Sequence, residues 1–414
     1  MCDLRFWVWL SFLRLTPSDK MFLLERFGGP DRIYFSNEKD LKGFPECIRN
    51  EVLDKGKRLS VDEILKVIKE KGIEVICFLD KRYPERLKNI YGFPVVLYTR
   101  GNIDLLNSDK IVSIVGCRNC SEYGKDVSYR LAYNISKKDV VIVSGMARGI
   151  DTYSHLGAIK TNCKTIAVLG SGIDFVYPYE NEGIYNNIIK NGGLVVSEYC
   201  PGVRPDKTFF PMRNRIISGL SDITIVVEAG ARSGSLITAD LALEQGRDVF
   251  VVPGNLTSYT SIGTNKLIKE GAPILTCSKD IVKALEERKW EWWLRDEICQ
   301  KEPSLSTKGV RLLMDFRDRW KGNNFMDNFS CPLRINASCS GELEFPINRK
   351  GTFSADPDVP QVYTLTKKFY LYWLLFLLCV KFMCERNKRG EFLKDEKLES
   401  LESVYIYIYI YISG

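Results

Sequence analysis

Phe209-Phe210-Pro211-Met212-Arg213-Asn214-Arg215 packs two aromatic rings, a proline and two arginines into seven residues, and Lys207 lies three positions ahead of Phe210. Proline suits the first turn of a helix, which puts Arg213 and Arg215 near the positive end of one. Cations are unfavourable there unless an anion or a buried carboxylate answers them. Two readings satisfy that need. Phosphates could bind Lys207, Arg213 and Arg215 while a base stacks on Phe210. Alternatively, Arg213 and Arg215 pair with Glu198 or Glu228 in a structural network and the phenylalanines are core.

Similar chemistry recurs where apolar runs end. Gly116, Cys117 and Arg118 follow "KIVSIV"; Gly116 permits a tight turn, backbone N–H groups there can face an anion, and Arg118 adds a charge. Ser144, Gly145, Arg148 and Gly149 follow "DVVIV", with Asp151 placed to cap a helix. Ser233, Gly234 and Ser235 open a further helix, a natural phosphate cradle or simply a serine cap. Gly263 and Thr264 offer a cap or a ligand contact. Each of these is also compatible with an ordinary strand-to-helix turn. None follows G-x-G-x-x-G or G-x-x-x-x-G-K-[ST], so no dinucleotide or ATP cofactor is expected. Cys117 and Cys120 form one C-x-x-C, but no second pair accompanies it and His155 is the only histidine. That is a poor basis for zinc or redox chemistry, and no metal is expected. No G-x-S-x-G elbow supports a serine hydrolase.

These residues need a scaffold. The segments "KIVSIVG", "DVVIVSG", "KTIAVLG", "GLVVSEY", "DITIVVEA" and "DVFVVPG" read as fully apolar strands. They alternate with helical stretches such as "YGKDVSYRLAYNISKK", "NEGIYNNIIKNG" and "GSLITADLALEQG". That pattern predicts an α/β fold: a Rossmann-like domain over residues 106–290, with a mostly parallel sheet covered on both faces. Ligands in such sheets bind at the carboxyl ends of the strands, where the motifs above fall. Residues 1–105 read as a small helical domain with a connecting strand. Residues 291–414 lack periodicity, end in the Tyr-Ile alternation "VYIYIYIYIYISG", and are expected to be an atypical, poorly ordered tail, part of it frameshifted or read-through sequence. The apolar run Phe369 to Val380 is too short to span a bilayer comfortably.

The bulk numbers fit a soluble protein: 414 residues, 45% hydrophobic, 27% charged and a net charge of +7 that favours anionic partners. Thirteen cysteines without a framework, and no leader-like start, predict a reducing, cytoplasmic location.

Taken in order, "IVGCRNCSEYG", "VSGMARGID", "TIAVLGSGIDFVYPYEN", "FFPMRNRIISGLS", "VVEAGARSGSLITADLALEQGR" and "VFVVPG…GTNKLI" resemble the DNA-processing protein A family, DprA or Smf. The likeness covers about residues 80–285 and extends more loosely to the helical start. It implies an extended Rossmann-like domain that binds single-stranded DNA, forms a homodimer and loads RecA recombinase onto incoming strands during natural transformation, without catalysis. The family's Gly-Ser/Thr-Arg element falls on Gly116, Cys117 and Arg118, with a thiol where a hydroxyl is usual. Its lysine and base-contacting phenylalanine fall on Lys207 and Phe210, and Arg213 and Arg215 continue the basic pocket. Ser144, Arg148, Ser233 and Gly234 complete the expected DNA-binding set. Many members end in a winged-helix-like domain, which residues 300–414 do not resemble. An enzyme remains the alternative: a nucleotide-processing hydrolase on a related fold, with Glu228 as general acid or base.

Overall fold

The computed structural model describes residues 3–161 and 164–288. The expected tail from residue 291 and the Phe369 to Val380 run lie outside the described residues.

The chain opens with helices Leu4–Phe12 (α1), Pro17–Phe27 (α2), Pro30–Tyr34 (α3), Glu46–Leu53 (α4) and Lys55–Glu70 (α5). Local sequence sets their ends. Thr16 and Asp19 form a capping box around Pro17, and Gly28 closes α2 in the left-handed region. The Asp54 side chain caps α5. Next come strand Glu74–Cys77 (β1), the short helix Glu85–Lys88 (α6) and strand Val96–Gly101 (β2).

From Ile111 onward strands and helices alternate: Ile111–Val115 (β3), Glu122–Ser136 (α7), Val141–Ser144 (β4), Ile150–Ile159 (α8), Thr165–Leu169 (β5), Glu182–Lys190 (α9) and Leu194–Ser197 (β6). Then follow Phe209–Leu220 (α10), Ile223–Val226 (β7), Gly234–Glu244 (α11), Asp248–Val251 (β8) and Ile262–Lys269 (α12). All six strands expected from the apolar runs are present. The sheet has eight strands in the order β1-β2-β6-β5-β4-β3-β7-β8. β3 to β8 pair in parallel, while β2 runs antiparallel to both β6 and β1. The Rossmann-like, mostly parallel sheet is therefore as expected. The strand read as a connector, β2, is itself a rung of that sheet, with Tyr98 opposite Ser197 and Gly101 opposite Leu194. Gly101 has φ +109, and a Cβ there would lie 2.1 Å from the Gly193 carbonyl oxygen, so only glycine allows the two backbones to meet.

Side chains leave the strands alternately and build layers on the two faces. Ile111, Val115, Val141 and Val143 pack with Ile216, Leu220 and Ala239 of α10 and α11. Val112, Ile114 and Ile142 pack with Leu131, Ile135 and Ala158 of α7 and α8. Trp7, Trp9 and Leu10 of α1 share one core with Tyr98, Leu169 and Val195 of the sheet. A hydrogen bond of 2.6 Å between the Ser11 and Tyr98 hydroxyls lies at that junction.

The order in which successive strands are added reverses between the parallel neighbours β3 and β7, the switch point at which such folds open a crevice.

Candidate nucleic-acid interface

The loops at the carboxyl ends of β3 and β5 meet the start of α10 and bring together three side chains. The Arg118 guanidinium carbon lies 5.1 Å from the centre of the Phe210 ring. The Tyr177 ring lies 5.5 Å from Phe210, tilted by 32°. Phe210 reaches this position because residue 170 is glycine: a Cβ there would come within 2.8 Å of its Cδ1. The neighbouring Phe209 stacks on Tyr199 at 4.2 Å, so the two phenylalanines have different partners. Arg118 is exposed and makes no ion pair among the described residues. Lys207 precedes α10, is exposed and is likewise unpaired among the described residues. One exposed cation, a partly buried ring and a second ring with 46% exposure thus converge at the carboxyl edge of the sheet.

Arg213 and Arg215, expected to reach phosphate, point inward instead. Arg213 is only 4% exposed, and its Nη1 donates to the carbonyls of Gly145, at 2.5 Å, and Val168. Burial pulls its pKa down to about 10, opposed by Asp151, so it stays charged at neutral pH. Arg215 is 6% exposed; it donates from Nη1 and Nη2 to the two oxygens of Glu198, at 3.3 and 2.5 Å. Its remaining contacts are the carbonyls of Gly92 at 2.9 Å and Met212 at 2.6 Å. Of the two readings of this cluster, these arginines follow the structural one, with protein oxygens taking the place of phosphate. Lys20 of α2 joins the cluster from the helical side and donates to the Ser11 carbonyl at 2.8 Å. Burial pulls Lys20 down to about 8, with Glu198 opposing.

Ser144 also departs from expectation: it is fully buried and its hydroxyl donates to the Ile114 carbonyl at 2.7 Å. As the last residue of a central strand it faces a neighbouring strand, not the crevice. Arg148 is exposed and pairs with Glu180 at 2.5 Å on the surface. Gly116 fits a space that a Cβ would close, at 2.4 Å from Ile150. The Cys117 N–H donates to the Glu228 carbonyl at 2.8 Å. The Cys117 thiol lies 3.8 Å from the Glu228 carboxylate; burial, then that carboxylate, push its pKa up to about 12. Cys120 is raised for the same reasons, so the C-x-x-C holds no thiolate at neutral pH. Ser233 caps α11, accepting weakly from the Ser235 N–H at 3.4 Å, and Gly234 is exposed beside it. Asn214 of α10 reaches the Gly234 carbonyl at 3.5 Å, so this helix start lies beside α10.

The sequence pattern of the DNA recombination-mediator protein A family matches residues 74–286, from β1 past α12. The chain belongs to that family. It is 45% identical over 225 residues to the DNA processing protein DprA of Bacillus subtilis, covering 54% of this chain and 75% of the relative. The DprA of Streptococcus pneumoniae is 46% identical over 208 residues, or 50% of this chain and 73% of that protein. The solved structure of the Streptococcus pneumoniae protein superposes with a TM-score of 0.59 at 35% identity, covering 68% of this chain and 98% of the other.

One ring of the site escaped the sequence reading, and one carboxylate has a different setting from the one expected. Tyr177 lies in a loop without periodicity, and only the folded chain reveals that it flanks Phe210. Glu228 was singled out as a possible acid or base, but it is 3% exposed and engaged by the protein. Its Oε1 accepts from the hydroxyls of Ser121 at 2.5 Å and Thr260 at 3.0 Å, and its Oε2 from the Ser121 N–H at 2.8 Å. A cleft of about 470 Å³ adjoins it, lined by Ser121, Tyr123, Asn255, Ser258 and Ser261 among others. No helix among the described residues is long and apolar enough to cross a membrane.

Proposed function

We propose that this chain binds single-stranded DNA at the carboxyl edge of its sheet and, as a cytoplasmic homodimer, protects incoming strands and loads RecA recombinase onto them in natural transformation. The observation that carries the reading is the Arg118–Phe210 contact, with the exposed Lys207 three residues before Phe210 in the chain. Arg118 and Lys207 take backbone phosphates, and Phe210 takes a base. Arg148 is a third candidate, because an exposed ion pair is worth little and Glu180 can give way to a phosphate. The N–H groups at the start of α11, next to Ser233 and Gly234, extend the same surface. Stacking on a ring tolerates every base, so such a site binds single strands without reading sequence. Membership of a recombination-mediator family, with relatives named as DNA processing proteins, supports this assignment.

Fluorescence anisotropy of the full chain with labelled single-stranded and duplex oligonucleotides, over a salt series, tests the reading. Wild type should prefer the single strand, with affinity falling steeply as salt rises, and Arg118→Ala and Phe210→Ala should each weaken it. Equal, feeble binding to both forms, indifferent to either substitution, would reject the site. RecA filament growth on the bound strand and the mass of the particle in solution test the loading and dimer components.

A further inference from the structure

We propose that Glu228 is a positioning residue for the single-strand site: it clamps the loop from Gly116 to Ser121 and so sets where Arg118 meets a phosphate. The inference rests on the reading of Arg118 given above.

The clamp has two jaws. At the start of the loop, the Glu228 carbonyl accepts the Cys117 N–H at 2.8 Å. At its end, the Glu228 carboxylate accepts both the Ser121 N–H at 2.8 Å and the Ser121 hydroxyl at 2.5 Å. The same Ser121 hydroxyl caps α7 by accepting the Gly124 N–H at 3.1 Å. Two glycines let the clamp close: a Cβ at Gly116 would come within 2.9 Å of the Glu228 carbonyl oxygen, and one at Gly124 within 2.3 Å of its Oε2. On the other side, a Cβ at Gly149 would lie 2.4 Å from the carbonyl oxygens of Cys117 and Arg118. The Arg118 side chain has no hydrogen bond among the described residues and lies over the Phe210 ring. The position of its backbone is therefore set by the loop, which these contacts hold at both ends.

A carboxylate near a phosphate-binding loop repels DNA. If Glu228 mattered only through its charge, removing that charge would tighten binding. If it matters as a clamp, neutralising it loosens the loop and weakens binding. The Glu228→Gln amide keeps one acceptor for the Ser121 N–H but turns its NH2 toward the Ser121 and Thr260 hydroxyls, which must reorient to accept, so the charge-assisted contacts of this jaw are weakened. The sign of the change separates the two roles.

The test compares wild type, Glu228→Gln, Arg118→Ala and the double variant, as full chains, on labelled oligothymidine over a salt series. Glu228→Gln should weaken binding about tenfold, within the range of coupled neighbours, and should do almost nothing in the Arg118→Ala background. Its salt slope should fall toward that of Arg118→Ala, by about 0.7 for one lost phosphate contact. Unchanged or tighter binding by Glu228→Gln overturns the proposal, as does an equal loss in both backgrounds, which would indicate general damage. If Arg118→Ala binds like wild type, the single-strand reading falls too. If Arg118→Ala and Phe210→Ala are weak but Glu228→Gln is not, only the clamp is refuted. Should Glu228→Gln not fold, Ser121→Ala removes the hydroxyl contact of that jaw, with the α7 cap, without changing charge, and the same non-additivity with Arg118→Ala is expected of it.

Discussion

Replacing Arg215 by methionine separates two jobs that an arginine in this stretch can have. Its side chain is 7% exposed and that of its partner Glu198 13%, and the pair meets fork to fork. Removing one member of a buried, hydrogen-bonded pair costs about 3–5 kcal/mol, because the other charge is left unanswered. For a domain of this size each kcal/mol moves Tm by about 2–4 °C, so Arg215→Met should melt roughly 6–20 °C below wild type. Its effect on DNA should be the reverse of that of Arg118→Ala. Each phosphate neutralised on a single strand adds about 0.7 to the slope of log affinity against log salt, or about 2.6-fold over a fourfold rise in salt. Arg118→Ala should lose that increment and keep its Tm, whereas Arg215→Met should keep the slope, measured below its melting point. Thermal denaturation and salt-dependent anisotropy on the same preparations give both quantities. An Arg215→Met protein that melts with wild type but loses 0.7 of slope would refute the burial argument and return Arg215 to the phosphates. Glu198→Gln is a second check: it should destabilise the protein, and tighter DNA binding instead would mean that Arg215 faces the strand.

Tyr177→Ser should weaken single-strand binding by about 1 kcal/mol, the low end for a stacking ring, with Tyr177→Phe like wild type; anisotropy reads both, and unchanged affinity in Tyr177→Ser would remove the ring from the site. His155, the only histidine, is fully buried with Nδ1 2.8 Å from the Thr165 hydroxyl, and burial pulls its pKa down to about 3. Since the folded value lies below the free one, its contribution to stability is complete above about pH 6.5 and is lost as acid approaches the folded value. Imidazole NMR signals should therefore stay constant from pH 8 to about pH 5, and a midpoint near 6.5 in folded protein would contradict the burial. Iodoacetamide at neutral pH should label the exposed Cys47 and Cys277 well before Cys117, whose raised pKa keeps it a thiol; peptide mass spectrometry showing equal labelling would refute that.

The central strands were legible because both of their faces are covered: "IVSIV" and "TIAVL" are buried at every position, so they read as near-continuous apolar runs with no charged residue. β1 was not, since an edge strand of four residues with one buried position has no pattern to read. The pairing of β2 with β6 joins segments far apart in sequence, and no local signal marks it. The rule that ligands gather at strand ends pointed to the loop of Arg118, and the structure shows Arg118 against the Phe210 ring. The fate of Arg213 and Arg215 was left between two readings because their partners lie on other elements: Glu198 after β6, and the carbonyls of Gly145 and Val168 in or after β4 and β5. Ser144 was misplaced for a related reason. A serine that ends a strand looks the same in sequence whether it faces the crevice or a neighbouring carbonyl, and here it faces Ile114.

The place of β2 beside β6 has a consequence for how the protein is made. β2 leaves the ribosome about 95 residues before the strand that covers its second edge, and at about 5–20 residues per second that edge waits roughly 5–20 s for its partner. Throughout that interval Trp7, Trp9 and Leu10 lack the Val195 side of their core. The nascent chain therefore carries an open strand edge and an uncovered aromatic surface together, the combination that recruits chaperones or invites aggregation. Slowing translation before residue 194 should lengthen this exposure, whereas slowing it after residue 197 should not.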